Sequence, residues 1–468
     1  THPVNNRVEE VGNGVGCASK WFFLEGEESM SDTRLVIGHG PCALRAAAVL
    51  AAGGAKVTLL QRGATPSGLR NPDFPTETGR IHVDSAYRSA SESVFGSLVE
   101  APDTERAVLA RGRIHRLPMS RMEVHQLLDD AARLPAARAW VRARSRNAMA
   151  DVMGGGQEER SHKDWVVRRM GEPAWAHLYR SYAEKRWGLP SEELSVGLAR
   201  LYHGVEDDRP AQLVGGGEGQ ALAQAEKCIL DAGGEIRTNV TVKRLEVVDG
   251  KVAKVVVNRG KKYATNGQVW IAEAPGVIAE WLEGAISHQT KVAAMRLEVQ
   301  PAVRVALRGD TKGLPWDLHV LDEWVPFHRV VSPYGVEQTA IFHANGAMDE
   351  PDDEALAFLF AEAADRAGLG RFEVESANVE RLDAWVPVWS RGAHAVLRTV
   401  LLDWESLGIV GVGRSGAFSP LDPGEEVSLA LRYRDADALN QRETHRVYLD
   451  PPVRVEDLDV HITRFVER

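Results

Sequence analysis

Short apolar runs and stretches of helical spacing alternate along this chain, and the clearest unit comes early. Leu35-Val36-Ile37 is an apolar run that ends at Gly38. Leu44 to Leu50 is an apolar stretch of helical type, Gly53-Gly54 closes it, and Val57-Thr58-Leu59-Leu60 is a second run. The order predicts strand, glycine turn, helix, strand. A loop with Gly and Pro follows over 63–80, then mixed polar sequence to about Leu117. Helical spacing dominates from Ser120 to Leu201, beginning with Arg121 to Leu128. There Ser161-His162-Lys163-Asp164, ahead of Trp165-Val166-Val167, is an N-cap signature. Ser191-Glu192-Glu193-Leu194 after Pro190 predicts the start of another helix.

Beyond Gly215-Gly216-Gly217 helix and strand alternate again. A helix is expected over Ala221–Ala232 and strands over Glu235–Thr238, Thr241–Val248 and Val252–Asn258, with Asp249-Gly250 as a hairpin turn. Gln268 to Ala272 reads as a strand leading into Ala274-Pro275, and Leu297 to about His343 is strand-rich. Glu354–Ala367 reads as a helix and Val379–Trp389 as a strand region. Leu407 to Gly413-Arg414 is an apolar strand ending in a glycine turn, and Val427–Leu439 is the last core helix.

Gly38-x-Gly40-x-x-Ala43 sits between the first strand and the first helix. Gly38 permits a tight turn, Gly40 lets backbone approach a pyrophosphate, and a small third residue allows helix and strand to pack closely. Such a unit binds a dinucleotide; the plain alternative is a βαβ element that binds nothing. An acidic side chain normally ends the second strand and holds the adenosine ribose. Here that position, 23 residues after Gly38, is Gln61, followed by Arg62. An amide still accepts from a hydroxyl, less strongly than a carboxylate.

The 468 residues suggest two or three domains, and 44% hydrophobic with 26% charged residues is ordinary for a globular protein. A net charge of −10 argues against nucleic acid as the main partner. Three cysteines, Cys17, Cys42 and Cys228, imply no disulfide framework and suit a reducing cytoplasm. No apolar stretch is long enough for a membrane span, and no secretory signal opens the chain. Residues 1–29 read as an appended arm whose Trp21-Phe22-Phe23-Leu24 cluster would need burial. It is a remnant, a docking extension or a contact for a protein partner.

The fold class expected is α/β, a Rossmann-like domain split along the chain. The arm at 1–29 precedes nucleotide-binding parts at 30–117, 211–295 and 391–468. A helical insertion occupies 118–210 and a strand-rich substrate domain 296–390.

Residues 34 to about 440 resemble the FAD-dependent amine-oxidoreductase superfamily, in the branch of protoporphyrinogen-oxidase-like enzymes and UDP-galactopyranose mutase. The likeness is carried by Asp164 to Gly171 and by Tyr179 to Ser195, whose Tyr182-x-x-Lys185-x-Trp187-Gly188 core is fairly specific. Gly215-Gly216-Gly217 and the stretch from Gly233 to Val242 also fit. The resemblance implies FAD as cofactor, Val240 beside the adenine, and Gly413, Arg414 and Asp422 along the ribityl chain and flavin ring. The departures are Gln61 for the ribose-binding acid, Ser67-Gly68 for a Gly-Gly pair, and Gly79-Arg80-Ile81-His82 for a Gly-x-His element.

In such enzymes the flavin itself performs the chemistry. Arg329, in a Pro-x-x-Arg stretch from Pro326, is the first substrate-facing candidate because a guanidinium fork suits a carboxylate or phosphate. Its alternative is a surface strand arginine. His82 is a candidate flavin contact or a structural histidine, and Trp187 a substrate platform or a packing residue. A helix N-terminus would lower the pKa of Cys42 if it were reactive; otherwise it is a small spacer. No His/Cys cluster has metal-ligand spacing. The expected function is oxidation of an amine or a C–C or C–N single bond of a small or medium-sized substrate, with hydride passing to FAD. The alternatives are a non-redox nucleotide-sugar mutase type of flavoenzyme and a non-catalytic binding partner that has lost FAD.

Overall fold

The computed structural model describes residues 33–67, 81, 83, 85–100, 106–117, 119, 121–153, 160–198, 212–214, 217–332, 338–346, 352–419 and 423–435. Five parallel strands form one sheet in the order Ile409–Gly411, Val269–Ala272, Thr33–Gly38, Lys56–Gln61, Glu235–Arg237. The runs Leu35-Val36-Ile37 and Val57 to Leu60 lack alternation because both faces of this sheet are covered. Val36, Val57, Leu59 and Trp270 pack under the helices Pro41–Ala52, Gly217–Asp231 and Pro423–Asp435. Leu35, Ile37, Leu60 and Ile271 pack on the other side. That side is covered by an antiparallel unit of Val242–Val248, Lys251–Val257 and Lys262–Ala264 and by the helix Ala393–Leu407. Asp249 and Gly250 both have positive φ, 51° and 75°, as a tight hairpin turn demands.

A second sheet has seven strands: Phe372–Pro387, Val299–Gly309, Thr339–Asn345, Arg329–Val331, Asp317–Val320, Arg106–Ala110 and Arg113–Arg116. The last two correct the grouping of 30–117 with the nucleotide-binding part. Arg106–Ala110 pairs in parallel with Asp317–Val320 and so belongs to this sheet. The strand expected over Val379–Trp389 starts earlier, at Phe372, because its first half pairs with Ala306 to Gly309. The helix Ala393–Leu407, which the sequence pattern did not single out, has Leu397, Val400, Leu401 and Trp404 on one buried face.

One face of the second sheet is apolar. Val303, Val305, Leu318, Val330 and Phe342 pack against Leu356, Ala357 and Phe360 of the helix Asp353–Arg366. The opposite face is polar, and the strand register sets Glu380, Arg304, His343, Arg329 and His319 side by side in one row. All but Arg329 in that row are buried.

The helical segment packs on this sheet. The helices are Arg121–Gln126, Asp130–Met153, His162–Met170 and a run from Glu172 to Trp187 that passes through one wide turn at Trp175–Tyr179. Ser161 caps the third as expected, its hydroxyl accepting from the Asp164 amide at 3.1 Å. Ser191 does not open a helix. Its hydroxyl accepts from the Trp175 indole at 2.7 Å, and the amides of Ser195 and Arg391 bond Trp389 and Glu193 across an extended contact. The Tyr-x-x-Lys-x-Trp-Gly core is what fastens this segment down. Tyr182 meets His319 Nδ1 at 2.8 Å. Lys185 Nζ donates to the carbonyls of Val320, Asp322, Val325 and Phe327 at 3.1, 2.8, 3.3 and 3.4 Å. Gly188 ends the helix at φ 69°. Burial pushes the Lys185 ammonium down to about 8, with Asp322 and Glu323 acting against the shift.

Replacing Lys185 by Met keeps the aliphatic stem and leaves those carbonyls without their donor. The unfolding free energy in urea at pH 7 is expected to fall by about 1–3 kcal/mol. An unchanged midpoint would show that the ammonium does not hold the loop.

Candidate functional site

The parallel register brings four chain crossings to one edge. Gly38 lies opposite both Gln61 and Ala272, and Ile271 lies opposite Gly411. This is the C-terminal edge of the parallel strands, where open α/β sheets bind ligands. Gly40 has φ 82° and ψ −174°, a conformation open essentially to glycine, and Pro41 follows at the first helical position. A Cβ on Gly38 would come within 2.7 Å of the Ala43 Cβ and 2.8 Å of the Ala272 Cβ. The small third residue of the motif is therefore in contact with the first. The first amides of the Pro41–Ala52 helix point at this edge without intrahelical acceptors, as at any helix start.

Gln61 is fully buried, and its amide explains why no acid stands there. Nε2 donates to the carbonyls of Gly40 at 3.3 Å and Pro66 at 3.0 Å. A carboxylate has no hydrogen to give either oxygen. Oε1 is buried with no hydrogen-bond partner among the described residues, so an acceptor remains at the end of the second strand. Val240 is half-buried beside it, its amide donating to the Gln61 carbonyl at 3.1 Å. Arg62, the next residue, is exposed.

The chain returns to this edge at its far end. The Val412 amide donates to the Ile271 carbonyl at 2.9 Å, and Gly413 has φ 67°. A Cβ on Gly413 would lie 2.5 Å from the Cys42 Cβ. Glu426, in the first turn of the Pro423–Asp435 helix, is 3% exposed and gathers three partners. Cys42 Sγ donates to it at 3.0 Å, Arg45 Nη1 at 3.1 Å, and Arg414 Nε lies 3.9 Å away. The acid favours that helix N-terminus and offsets a guanidinium buried in the first helix. Burial, with Glu426 adding to it, pushes the Cys42 thiol up to about 12. That removes the reactive-thiol reading; Cys42 is a buried spacer.

The other candidates are scattered. Arg329 donates from Nε to Asp317 Oδ1 at 2.7 Å within the polar row, part-buried. Arg329 holds the Asp317 carboxyl well below the usual carboxylate range against the pull of burial. Burial pushes His319 down to about 3 and His328 well below its usual range. Trp187 is 5% exposed, in the apolar cluster that also holds Ala183, Leu194 and Trp389. Arg414 lies 4.5 Å from the Trp385 ring. Gly68, His82 and Asp422 lie outside the described residues, as does the arm 1–29. Sequence reasoning missed Arg45, Glu273, Glu426 and the row around Arg329. The signals were present in two cases: Arg45 interrupts an alanine-rich apolar helix, and Glu273 ends a wholly apolar strand.

Gln61→Glu, which restores the acid usual at this position, is expected to destabilise the protein by about 1–3 kcal/mol, since both carbonyls lose their donor. Chemical denaturation at pH 7 measures it, and a gain in stability would contradict the hydrogen-bond assignment.

No family model matches the chain, and no curated protein matches it. Solved structures do. A reduced UDP-galactopyranose mutase aligns with TM-score 0.69 at 15% identity, over 88% of this chain and 96% of its own. A protoporphyrinogen oxidase-like protein from Exiguobacterium aligns with TM-score 0.63 at 13% identity, over 88% and 100%. Cyclohexylamine oxidase from Brevibacterium oxydans aligns with TM-score 0.58 at 14% identity, over 88% and 99%. At these identities the likeness is one of fold. The chain has the amine-oxidase-like fold to which its sequence resemblance pointed.

Proposed function

We propose that the chain is an FAD-dependent oxidoreductase that oxidises an amine or a C–C or C–N single bond of a small or medium-sized substrate. The observation that carries this reading is the convergence of Gly38, Gly40, Gln61 and Gly413 on one sheet edge, with a buried acceptor left at Gln61 Oε1. These residues fit the cofactor. The glycine turn and the helix start it opens would hold the diphosphate. Gln61 would accept from a ribose hydroxyl, and Val240 would flank the adenine. Arg62, Gly68 and Asp422 are proposed to complete the cofactor site. Gly413 would let backbone pass close to the cofactor, and Arg414, drawn to Glu426, would anchor that segment. When bound, FAD would supply the two-electron chemistry as hydride acceptor.

Arg329 is proposed to meet the substrate. Its Nε bond to Asp317 orients the guanidinium plane, and the polar row around it favours a substrate bearing a carboxylate or phosphate. His82 remains a proposed flavin contact. The paucity of cysteines supports work in a reducing compartment, the cytoplasm. Among the described residues no helix is long and apolar enough to cross a membrane.

The mutase alternative draws on the fold likeness to UDP-galactopyranose mutase. The Lys-x-Trp-Gly segment lends it no further weight, since Lys185 is spent on backbone carbonyls and Trp187 on packing. The non-catalytic alternative rests on Gln61 and on Ser67 in place of a glycine; the Gln61 amide closes the turn and leaves an acceptor, which supports a retained site.

The purified protein, supplied with FAD, is expected to show flavin absorption bands, and a screen of amines to yield peroxide or reduced flavin. Failure to take up flavin leaves only the scaffold reading. Turnover that requires prior reduction and gives no net redox product establishes the mutase.

A further inference from the structure

Glu273 follows the Val269–Ala272 strand, whose last residue is the register partner of Gly38. It therefore stands beside the glycine turn, and it is 5% exposed. Among the described residues it has no hydrogen-bond partner. The elements packed around it offer little countercharge. Cys42, Arg45 and Arg414 are gathered by Glu426. The helix Pro275–Trp281, which follows Glu273 in the chain, buries the apolar Ile278 and Ala279. His39 follows Gly38, and Arg62, after the Lys56–Gln61 strand, is the charge that acts on Glu273. A nucleotide diphosphate in this crevice adds negative charge where water is scarce and little positive charge answers it.

We propose that binding of a nucleotide diphosphate at this edge places a proton from solvent on the Glu273 carboxylate, so that occupancy of the site is coupled to pH. The proposal rests on the nucleotide-site reading above. Binding then converts a carboxylate and a solvent proton into a neutral acid, with no other bond made or broken. The neutral acid also offers an O–H donor to a phosphate or ribose oxygen.

The sign follows from burial, which already pushes this carboxyl up to about 7 in the free protein, opposed by Arg62. Below that pH the acid is neutral and binding costs nothing extra. Above it, each binding event must take up a proton, and affinity falls until the pH passes the still higher value of the complex. Without ligand, the raised value means stability present at acid pH is lost as pH rises to about 7.

The test uses the flavin-free full chain and ADP-ribose, whose diphosphate keeps its charge over neutral pH, by titration calorimetry in two buffers of different ionisation enthalpy. Affinity is expected to fall by up to about tenfold per pH unit above pH 7, with proton uptake read from the buffer difference. Glu273→Gln is expected to bind with no pH dependence in this range and no proton uptake, more tightly than the parent at pH 8. Its melting temperature without ligand should exceed the parent's at pH 8 and not at pH 4. A flat profile for the parent, or an unchanged slope in Glu273→Gln, overturns the proposal. Should the variant not fold, the parent's buffer difference decides alone. If neither ADP-ribose nor FAD binds at any pH, the nucleotide-site reading falls and takes this proposal with it.

Discussion

The carboxylate of Glu426 ties together parts of the chain nearly 400 residues apart. The sheet edge draws on strands at 33–38, 56–61, 269–272 and 409–411, and nothing local holds these crossings at one height. Glu426 accepts from Cys42 and Arg45 in the Pro41–Ala52 helix and lies close to Arg414 after the Ile409–Gly411 strand. Gly413 then seats against Cys42 in a space that admits no side chain. A buried ion pair of this kind adds modest net stability but penalises every arrangement that leaves one partner unpaired. Here the partners stand at the glycine turn and at the returning segment, so their pairing holds these two parts of the chain together.

Within that crevice a single amide does two jobs. Gln61 closes the turn by donating to Gly40 and Pro66 and keeps an acceptor in reserve. The same substitution looks like a defect when only the ribose contact is considered. It stops looking like one once the carbonyls around it are counted, because the geometry asks for donors and an acceptor in one side chain.

The second sheet shows the same economy at larger scale. Its strands are apolar on the face that meets the Asp353–Arg366 helix and polar on the other. Both faces are nonetheless largely buried, since the helical segment is fastened by Tyr182 and Lys185 to the Asp317–Phe327 stretch. His319 and Asp317, two apart on one strand, lie on one face of it, and Asp317 orients Arg329, the proposed substrate contact. The motif that carried the family resemblance in sequence is mechanical in the fold, since Tyr182 and Lys185 fasten the helical segment to the second sheet.

Much was legible in the chain alone. The apolar runs, the Gly38-x-Gly40-x-x-Ala43 turn, the Asp249-Gly250 hairpin and the Ser161 cap are local, because each is set by one residue's φ or one side chain's reach. The strand at Ile409–Gly411 and the glycine turn after it were visible for the same reason. What only the tertiary structure decided are relations between distant residues. Arg106–Ala110 joined the second sheet because its partner is Asp317–Val320, and the pattern along the strand holds no record of that pairing. In the sequence Glu426 is an ordinary charged residue, and neither the motif around Lys185 nor the apolar run before Glu273 tells what surrounds those side chains. Burial and the partners brought to them give the first two their roles, and the scarcity of partners distinguishes the third. Local conformation is written in neighbouring side chains, whereas the cost of a buried charge depends on what the fold places beside it.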